Sequence, residues 1–435
     1  MEMTKEERVR TGRLARLGSI FTLVLAVAAC SSTATQSPAV VTRSAEVATQ
    51  SPIPTSSPTA GPTPSPTPSP RPMAPATLKA GPKMATARTG QAAVRLKDGR
   101  VLIMGGTVPF VGKCPMACMP PATASVEIYN PGTGKFSHNG SLANPRGGGD
   151  ALLLNDGRVL VSGGDGEYGG GSSTIEIYDP AHGTSVVVNP PAAQKLPIYP
   201  TVVLLADGRV LVAGGSYDDS NTTSTATLIF DPSSGGWSNG PLMAKPRQGA
   251  MATLLDYGRV LLVGGDYYEG SNGYPNNSVE LIDPSRAASN STLLFSLAWQ
   301  TATKLPDGRV LVTGGGLYKS DTTCKTSVPT EVFDPRTERF TAVGPMSTRL
   351  SGSAAIGIPD GRVLFFGGVV DSDCEAVGTV EAFDPDSGTF HVIATGFPAL
   401  TGFSATLLND GRILVAGGDN GSWNGMTAAT WLLKP

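Results

Sequence analysis

Nine residues decide the fold of this chain: Asp207-Gly208-Arg209-Val210-Leu211-Val212-Ala213-Gly214-Gly215. Asp-Gly ahead of a β-rich run is a strong hairpin signal, because glycine accepts the positive φ that a primed turn requires. The apolar run after the turn is typical of a buried strand, and the glycine pair ends it. The stretch therefore predicts a hairpin turn, the second strand of a meander and the start of a loop.

The same pattern occurs seven times along the chain. Six of the turns read Asp-Gly-Arg, and the fourth reads Tyr257-Gly258-Arg259. The glycine pairs are Gly105-Gly106, Gly163-Gly164, Gly214-Gly215, Gly264-Gly265, Gly314-Gly315, Gly367-Gly368 and Gly417-Gly418. Successive pairs begin between 50 and 58 residues apart, which indicates an internally repeated structural unit.

Each repeat continues with a loop of variable length and an alternating strand such as Val126-Glu127-Ile128-Tyr129, which in most copies ends at Asp-Pro, a type I turn signal. A fourth, weaker strand is expected around Phe136, Trp237, Phe340 and Phe390. Four short strands without helical periodicity are typical of one propeller blade. Seven copies therefore predict a closed, all-β, seven-bladed β-propeller of antiparallel blades, with a β-solenoid or sandwich array as the alternative.

The number of strands predicts how the propeller closes. Only 17 residues follow the last glycine pair, enough for a loop and a third strand over 428–433. Residues 76–84 resemble the segment that elsewhere precedes Gly240-Pro241-Leu242. We therefore expect the propeller to occupy residues 76–435, with its N-terminal strand completing blade seven and removing an open sheet edge.

The residues ahead of the propeller predict export. Five basic residues lie within 1–18, and the apolar run of residues 20–29 is too short to span a bilayer, as in a secretory signal. The run ends at Val27-Ala28-Ala29-Cys30-Ser31, which resembles a bacterial lipobox; a plain signal site is the alternative. The resemblance implies a signal peptide over 1–29 and acylation of Cys30. Residues 30–75, rich in Pro, Ser and Thr, predict a disordered linker.

Composition restricts the classes of function. The 54 glycines and 36 prolines among 435 residues favour turn-rich β structure over helices. With 33 basic and 35 acidic residues, the chain has no basic field for nucleic acid. Three His and five Cys leave little material for a metal centre. We expect no cofactor, metal or nucleic-acid partner, and a monomer anchored by lipid to the bacterial cell envelope, with the propeller on the extracytoplasmic side.

The repeats resemble kelch repeats of the galactose-oxidase-like type, on their glycine pairs, Asp-Gly-Arg turns, Glu-x-Tyr/Phe-Asp-Pro strands and later aromatic residue. The resemblance implies the fold and not a reaction. The family's copper site uses His and Tyr ligands with a Tyr–Cys cross-link. Here His182 is expected in a turn, and His138 and His391 on or just after outer strands, so these copper-site residues do not carry over.

One face of the propeller is expected to carry binding chemistry. The loops after the glycine pairs and the links between blades lie on this face, here called the long-loop face. Arginine and aromatic residues at the beginning of innermost strands would form a ring at the channel mouth for an anionic or sugar-like ligand. The alternative is that the arginines cap blade-to-blade connections through backbone carbonyls while the aromatics pack. The ring consists of Arg88, Arg146, Tyr199, Arg247, Trp299, Arg349 and Phe403.

The arginines of the Asp-Gly-Arg turns are expected on the opposite, tight-turn face. Their repetition in every blade favours a structural pairing with glutamates of the third strands, namely Glu127, Glu176, Glu280, Glu331 and Glu381. The acidic loop residues Asp218, Asp219, Asp266 and Glu269 would either bind calcium or be solvated. Their irregular spacing favours the solvated loop.

The cysteines suit an exported protein, in which disulfides persist. Cys114 and Cys118 lie in one loop, and Cys324 and Cys374 lie in loops of neighbouring blades. We expect one disulfide within each pair; a Cu(I) site at Cys114, Cys118 and Met119 is the alternative for the first.

These patterns together predict a non-catalytic binding module for an envelope protein or a glycan. The long-loop face and the absence of a nucleophile elbow or a zinc motif support this interpretation. The alternatives are a cofactor-free carbohydrate-modifying enzyme, such as an epimerase or lyase, and a structural envelope protein.

Overall fold

The computed structural model describes residues 73–110, 120–166, 171–191, 194, 196–217, 222–269, 272–276, 278–285, 289–292, 298–316, 330–347, 354–367, 378–421 and 425–435. Within these ranges the regular elements are strands, and they form seven four-stranded antiparallel sheets and two short hairpins. No helix in the described part of the chain could cross a membrane. The prediction of a seven-bladed all-β propeller is confirmed.

The strands are numbered in chain order. The innermost strands of blades one to seven are β2 (Ala92–Arg95), β6 (Asp150–Leu153), β10 (Thr201–Leu204), β16 (Met251–Leu254), β22 (Ala298–Lys304), β26 (Ala354–Gly357) and β30 (Ser404–Leu407). The second strands are β3 (Val101–Met104), β7 (Val159–Ser162), β11 (Val210–Ala213), β17 (Val260–Val263), β23 (Val310–Gly316), β27 (Val363–Phe366) and β31 (Ile413–Ala416).

The outer half of each blade is built in the same way. The third strands are β4 (Ser125–Asn130), β8 (Ile175–Asp179), β14 (Thr227–Asp231), β20 (Ser278–Ile282), β24 (Thr330–Asp334), β28 (Thr379–Asp384) and β32 (Thr430–Lys434). The outermost strands are β5 (Lys135–Ser141), β9 (Thr184–Val187), β15 (Gly236–Asn239), β21 (Ser289–Thr292), β25 (Arg339–Val343), β29 (Thr389–Thr395) and β1 (Thr77–Ala80).

The seven innermost strands contact one another in cyclic order, and β30 contacts β2, so the ring is closed. The core lies between blades: Leu102 and Met104 of blade one pack with Val159 and Val161 of blade two. Because each blade is covered on both faces by its neighbours, its second strand is apolar at nearly every position. This explains why the apolar run before each glycine pair is continuous instead of alternating.

The N-terminal strand closes blade seven, as predicted. β1 pairs with β32 in an antiparallel register that places Thr77 opposite Lys434 and Ala80 opposite Trp431. The Gly81 amide donates to the Thr430 carbonyl at 2.7 Å. The edge that β32 would otherwise expose is therefore covered by a strand from the other end of the propeller.

The Asp-Gly-Arg turns form hairpins, although not with the two-residue primed turn expected from sequence. In the first turn the Leu96 amide donates to the Arg100 carbonyl at 2.8 Å, and the Gly99 amide donates to the Leu96 carbonyl at 3.0 Å. Gly99 has φ +87°, whereas Asp98 does not have a positive φ. This is a three-residue hairpin, in which a turn is followed by glycine in the left-handed region.

Candidate functional site

Three of the four arginines expected at the channel mouth are buried inside their blades. The side chains of Arg88, Arg146 and Arg247 are 0%, 2% and 1% exposed, respectively. Arg247 Nη1 donates to the carbonyls of Gly264 and Ser278 at 2.9 and 3.0 Å. This placement corrects the prediction of an arginine ring that contacts a ligand, because the guanidinium groups face the protein interior.

Each of these arginines forms a buried ion pair with the glutamate of its own third strand. Nη2 of Arg247 donates to Ser278 Oγ at 2.7 Å and to Glu280 Oε1 at 2.6 Å. Arg88 and Arg146 make the same four kinds of bond in blades one and two. We call the guanidinium, its two carbonyls, its hydroxyl and its carboxylate the arginine slot.

The glutamates also hold the links between blades. The backbone amides of Ala244 and Lys245 donate to the two carboxylate oxygens of Glu280 at 2.8 and 3.1 Å. Burial by itself raises the pKa of Glu176, but the charge and hydrogen bonds of Arg146 outweigh it and hold that pKa below its ordinary value. The geometry therefore matches the alternative interpretation, in which the arginines cap the blade connections.

The turn arginines have a different partner from the one expected. Arg209 Nε donates to Asp207 Oδ2 of its own turn at 2.7 Å, and this pair is solvent-exposed. The same contact occurs at the first, second, fifth, sixth and seventh turns. The predicted pairing with third-strand glutamates is wrong for Glu127, Glu176 and Glu280, because the buried arginines already occupy their carboxylates.

The aromatic members of the predicted ring do not form one surface. Tyr199 lies at the mouth, half-buried, and its hydroxyl donates to Asp165. Phe403 instead packs against Phe397, with ring centroids 5.3 Å apart, in the core between blades six and seven. Trp299 contributes backbone to β22, but its side chain and the whole of Arg349 lie outside the described residues.

The channel mouth is bordered by hydrogen bonds between backbone groups of adjacent blades. The Gly90 amide donates to the Gly402 carbonyl and the Gly148 amide to the Gly90 carbonyl, both at 2.7 Å. Tyr199 occupies the corresponding position in blade three and, like these glycines, has a positive φ, +51°. A non-glycine residue with this φ is strained, so neighbouring contacts must hold Tyr199 in place.

Three aspartates at the mouth were not singled out together from the sequence. Asp165, Asp266 and Asp419 each follow a glycine pair directly, which was the available signal. Burial raises the pKa of Asp266, which is 2% exposed, to about 7. Burial also raises the pKa of Asp165 to about 6, although the Tyr199 hydroxyl opposes it. Asp150, on the innermost strand β6, is exposed by its surface area, yet desolvation by the surrounding protein raises its pKa to about 6.

Two hairpins extend the long-loop face of blades three and four. They are β12 (Ser216–Tyr217) with β13 (Thr222–Thr223), and β18 (Asp266–Glu269) with β19 (Asn272–Pro275). The Tyr268 amide donates to Thr223 Oγ1 at 2.9 Å, which joins the two hairpins.

These hairpins carry four tyrosines, here called the tyrosine platform: Tyr217, Tyr267, Tyr268 and Tyr274. The rings of Tyr267 and Tyr274 stack with centroids 5.5 Å apart, and Tyr274 is 39% exposed. Tyrosine is enriched in binding surfaces because its ring offers apolar area and its hydroxyl a polar contact. The sequence-based ring missed this surface, although the closely spaced tyrosines after two consecutive glycine pairs were visible.

The histidines of the chain do not supply a copper site of the galactose-oxidase-like type. His138 and His391 lie on the outermost strands β5 and β29. His182 lies in a tight turn, where its Nδ1 is 2.6 Å from Asp179 Oδ2. The channel mouth therefore lacks the imidazole ligands that copper favours.

Other predicted ligand groups lie outside the described residues. These are Cys30, Cys114, Cys118, Cys324, Cys374, Asp218 and Asp219. Among the residues that the structure describes, no group of three or more His, Cys, Asp or Glu side chains could hold a metal ion. Of the predicted calcium ligands, only Asp266 is described with its side chain, and it is buried.

Comparison with known proteins finds a family match for one of the repeats. A family model described as Kelch motif matches residues 197–244, which extend from the beginning of blade three to its link with blade four. Blade three therefore matches a kelch motif. Beta-scruin of Limulus polyphemus is 24% identical over 218 residues, which cover 48% of this chain and 23% of that protein. This chain thus spans less than a quarter of that curated relative's length.

A solved structure shares the propeller fold. It is described as a novel fungal alcohol oxidase of the AA5 family in complex with copper, and it matches with a TM-score of 0.64 at 18% sequence identity. The match covers 82% of this chain and 76% of the oxidase. At this identity the likeness shows the fold alone. The kelch-motif match in blade three supports a role as a protein-interaction module.

Proposed function

We propose that this protein is a non-catalytic interaction module that binds a protein partner on its long-loop face. The observation that carries the proposal is the tyrosine platform, which presents stacked and partly exposed rings on two hairpins joined to each other. The hairpins project from a closed ring, so that little conformational entropy should be lost when a partner binds. We further propose export and anchoring through Cys30, which would place this face on the extracytoplasmic side.

Substitution on the two faces tests this proposal. Replacing Tyr267 and Tyr274 by serine in the full chain should weaken partner binding by at least about tenfold, because aromatic anchors dominate interfaces. Tyr257→Ser is the matched control, since Tyr257 is 68% exposed on the tight-turn face. Partners from envelope extracts are identified by cross-linking and their affinities measured by interferometry. Equal affinities of the platform and control variants would contradict the proposal.

A glycan ligand is a second candidate because sugar rings stack on exposed tyrosines. The Tyr267–Tyr274 stack offers such a surface. A glycan array probed with the same variants separates the two ligands. Glycan binding lost with Tyr267→Ser/Tyr274→Ser but kept with Tyr257→Ser would favour the glycan.

A carbohydrate-modifying activity is the remaining candidate. It is favoured by one observation: Asp165, whose pKa is about 6, is hydrogen-bonded to Tyr199 at the channel mouth. An acid that titrates near neutral pH suits proton transfer. Turnover of a sugar by the full chain, lost in Asp165→Asn with folding retained, would favour the enzyme over the binding module.

A further inference from the structure

Blade three contains a cavity at the position where three other blades hold a guanidinium group. The cavity measures about 180 Å³. Its lining includes the four positions that make up the arginine slot elsewhere, and in blade three these are Pro197, Gly214, Ala226 and Leu228. Their counterparts in blade four are Arg247, Gly264, Ser278 and Glu280.

The strand register confirms this correspondence. Val212 faces Leu228 in blade three, as Leu262 faces Glu280 in blade four. The Gly214 amide donates to the Ala226 carbonyl at 3.0 Å, and the equivalent bond in blade four joins Gly264 to Ser278 at 3.3 Å. The backbone that cradles a guanidinium in blade four is thus preserved in blade three, while the arginine and the glutamate are both replaced.

The remaining lining combines oxygen acceptors with an aromatic ring. Gln194 Nε2 donates to Asn239 Oδ1 at 2.8 Å, and both residues line the cavity. Gln194 Oε1 is buried and has no donor among the described residues. Tyr217 of the tyrosine platform and the apolar Val212 complete the lining. An occupant that donates hydrogen bonds and has a flat face would match these groups.

We propose that this cavity receives a guanidinium group, carried by an arginine side chain of the protein that binds the tyrosine platform. Guanidinium is a planar group of N–H donors, and it is weakly hydrated, so its transfer from water costs less than that of an ammonium. It also packs favourably on the face of a tyrosine ring. The identity of the carrier rests on the proposed function, whereas the chemistry of the cavity does not.

Leu228 determines how strongly the cavity binds. In blades one, two and four a carboxylate balances the cation, but in blade three the cation would meet carbonyl, amide and aromatic groups beside apolar side chains. The apolar side chains are those of Pro197, Val212, Ala226 and Leu228. We therefore expect a small guanidinium compound to bind reversibly in the millimolar range. A partner arginine would bind more tightly because the platform already holds its chain.

The first experiment titrates N-propylguanidinium into the full chain by calorimetry, with N-propylurea and propylammonium as isosteric and ionic controls. Charge-assisted hydrogen bonds are about twice as strong as neutral ones, so propylguanidinium should bind at least about tenfold more tightly than propylurea. Propylammonium, which lacks the planar fork, should also bind more weakly. Equal affinity for propylurea or propylammonium would overturn the assignment.

Two variants test the location. Leu228→Glu restores the carboxylate and should raise the affinity for propylguanidinium at least about tenfold. A triple variant should abolish the binding of propylguanidinium, because its own arginine would fill the cavity. This variant, Pro197→Arg/Ala226→Ser/Leu228→Glu, rebuilds the complete arginine slot in blade three. Unchanged affinity in either variant would overturn the proposal, and if one fails to fold, the other still decides. Probe binding without a protein partner would refute the proposed function alone; a platform partner without probe binding would refute the cavity alone.

Discussion

The arginine slot shows how a residue's neighbours determine its role. Burying a charge within the fold costs more free energy when it has no partner, so we expect the two members of the pair to be kept or replaced together in most blades. Blade three has Pro197 and Leu228 at these positions, and blade seven has Leu400 and Trp431. Blade five departs from this expectation, because it keeps the buried Glu331 while the sequence has Leu297 at the position that corresponds to Arg247.

Breaking one slot should destabilise the protein strongly. Arg247→Ala leaves Glu280 buried without its cation, and we expect the free energy of unfolding to fall by about 3–5 kcal/mol. Arg247→Leu/Glu280→Leu should lose less, because no unpaired charge remains. Chemical denaturation gives both values. Arg209→Ala, which removes an exposed turn pair, is the control and should cost under about 1 kcal/mol. A double variant as unstable as Arg247→Ala would contradict this account.

Asp266 should make stability depend on pH. Its pKa is raised to about 7 in the folded protein, while in the unfolded chain it lies near the ordinary 3.8. Between these values the folded state binds more protons, so this group's stabilising contribution is full below pH 3.8 and is lost as the pH rises to about 7. Asp266→Asn should remove that loss, and its advantage over the natural protein should grow from pH 4 to pH 7. Denaturation midpoints measured across this range check the trend; a constant difference would contradict it.

At the scale of elements, sequence reasoning succeeded where a feature depends on the backbone. Glycine pairs, Asp-Gly turns and apolar runs restrict backbone conformation and burial directly, so the blades and the origin of β1 were predictable. The directions of the side chains were not predictable, because an arginine beside the channel can point into the blade or into the opening with little change in the backbone. Comparing the blades for joint loss of Arg and Glu could have revealed the slot.

Removing β1 tests closure at the element scale. Deleting residues 76–84 eliminates the β1–β32 ladder and the packing of Ala76 and Leu78 in the blade-seven core. We expect the free energy of unfolding to fall by several kcal/mol, since many backbone hydrogen bonds and buried contacts are lost. Deleting residues 31–72 is the control and should leave stability unchanged. Equal melting temperatures of the two truncations would refute the role of β1.

At the scale of the whole molecule, blade seven closes the ring by pairing strands from the two ends of the propeller. It combines β1 from the beginning of the propeller with β30, β31 and β32 from its end. The other six blades are each built from one continuous segment, so their junctions depend on packing and on the connecting links. Strand exchange between the two ends thus provides backbone pairing where a covalent link is absent.

A circular permutant tests this feature. A permutant in which a short turn-forming linker connects Lys434 to its paired neighbour Thr77, and in which the chain is opened at the 69% exposed Leu242, has seven continuous blades. The sheets should form as before, but unfolding in denaturant should be faster because only side-chain packing closes the new junction. The natural chain with the same linker appended to its C-terminus is the control. Identical unfolding rates would show that strand exchange does not stabilise the ring.

The position of β1 also has a mechanical consequence. Tension applied through residues 1–72 enters the propeller at Ala76 and this outermost strand. Its four residues are held by the pairing with β32, and the Ala76 amide just before them donates to the Ile393 carbonyl of blade six at 2.7 Å. If the bound partner and the N-terminus are pulled apart, this short ladder bears the load first. The force at which the propeller ruptures is then set by a single pair of strands, while the six continuous blades remain intact.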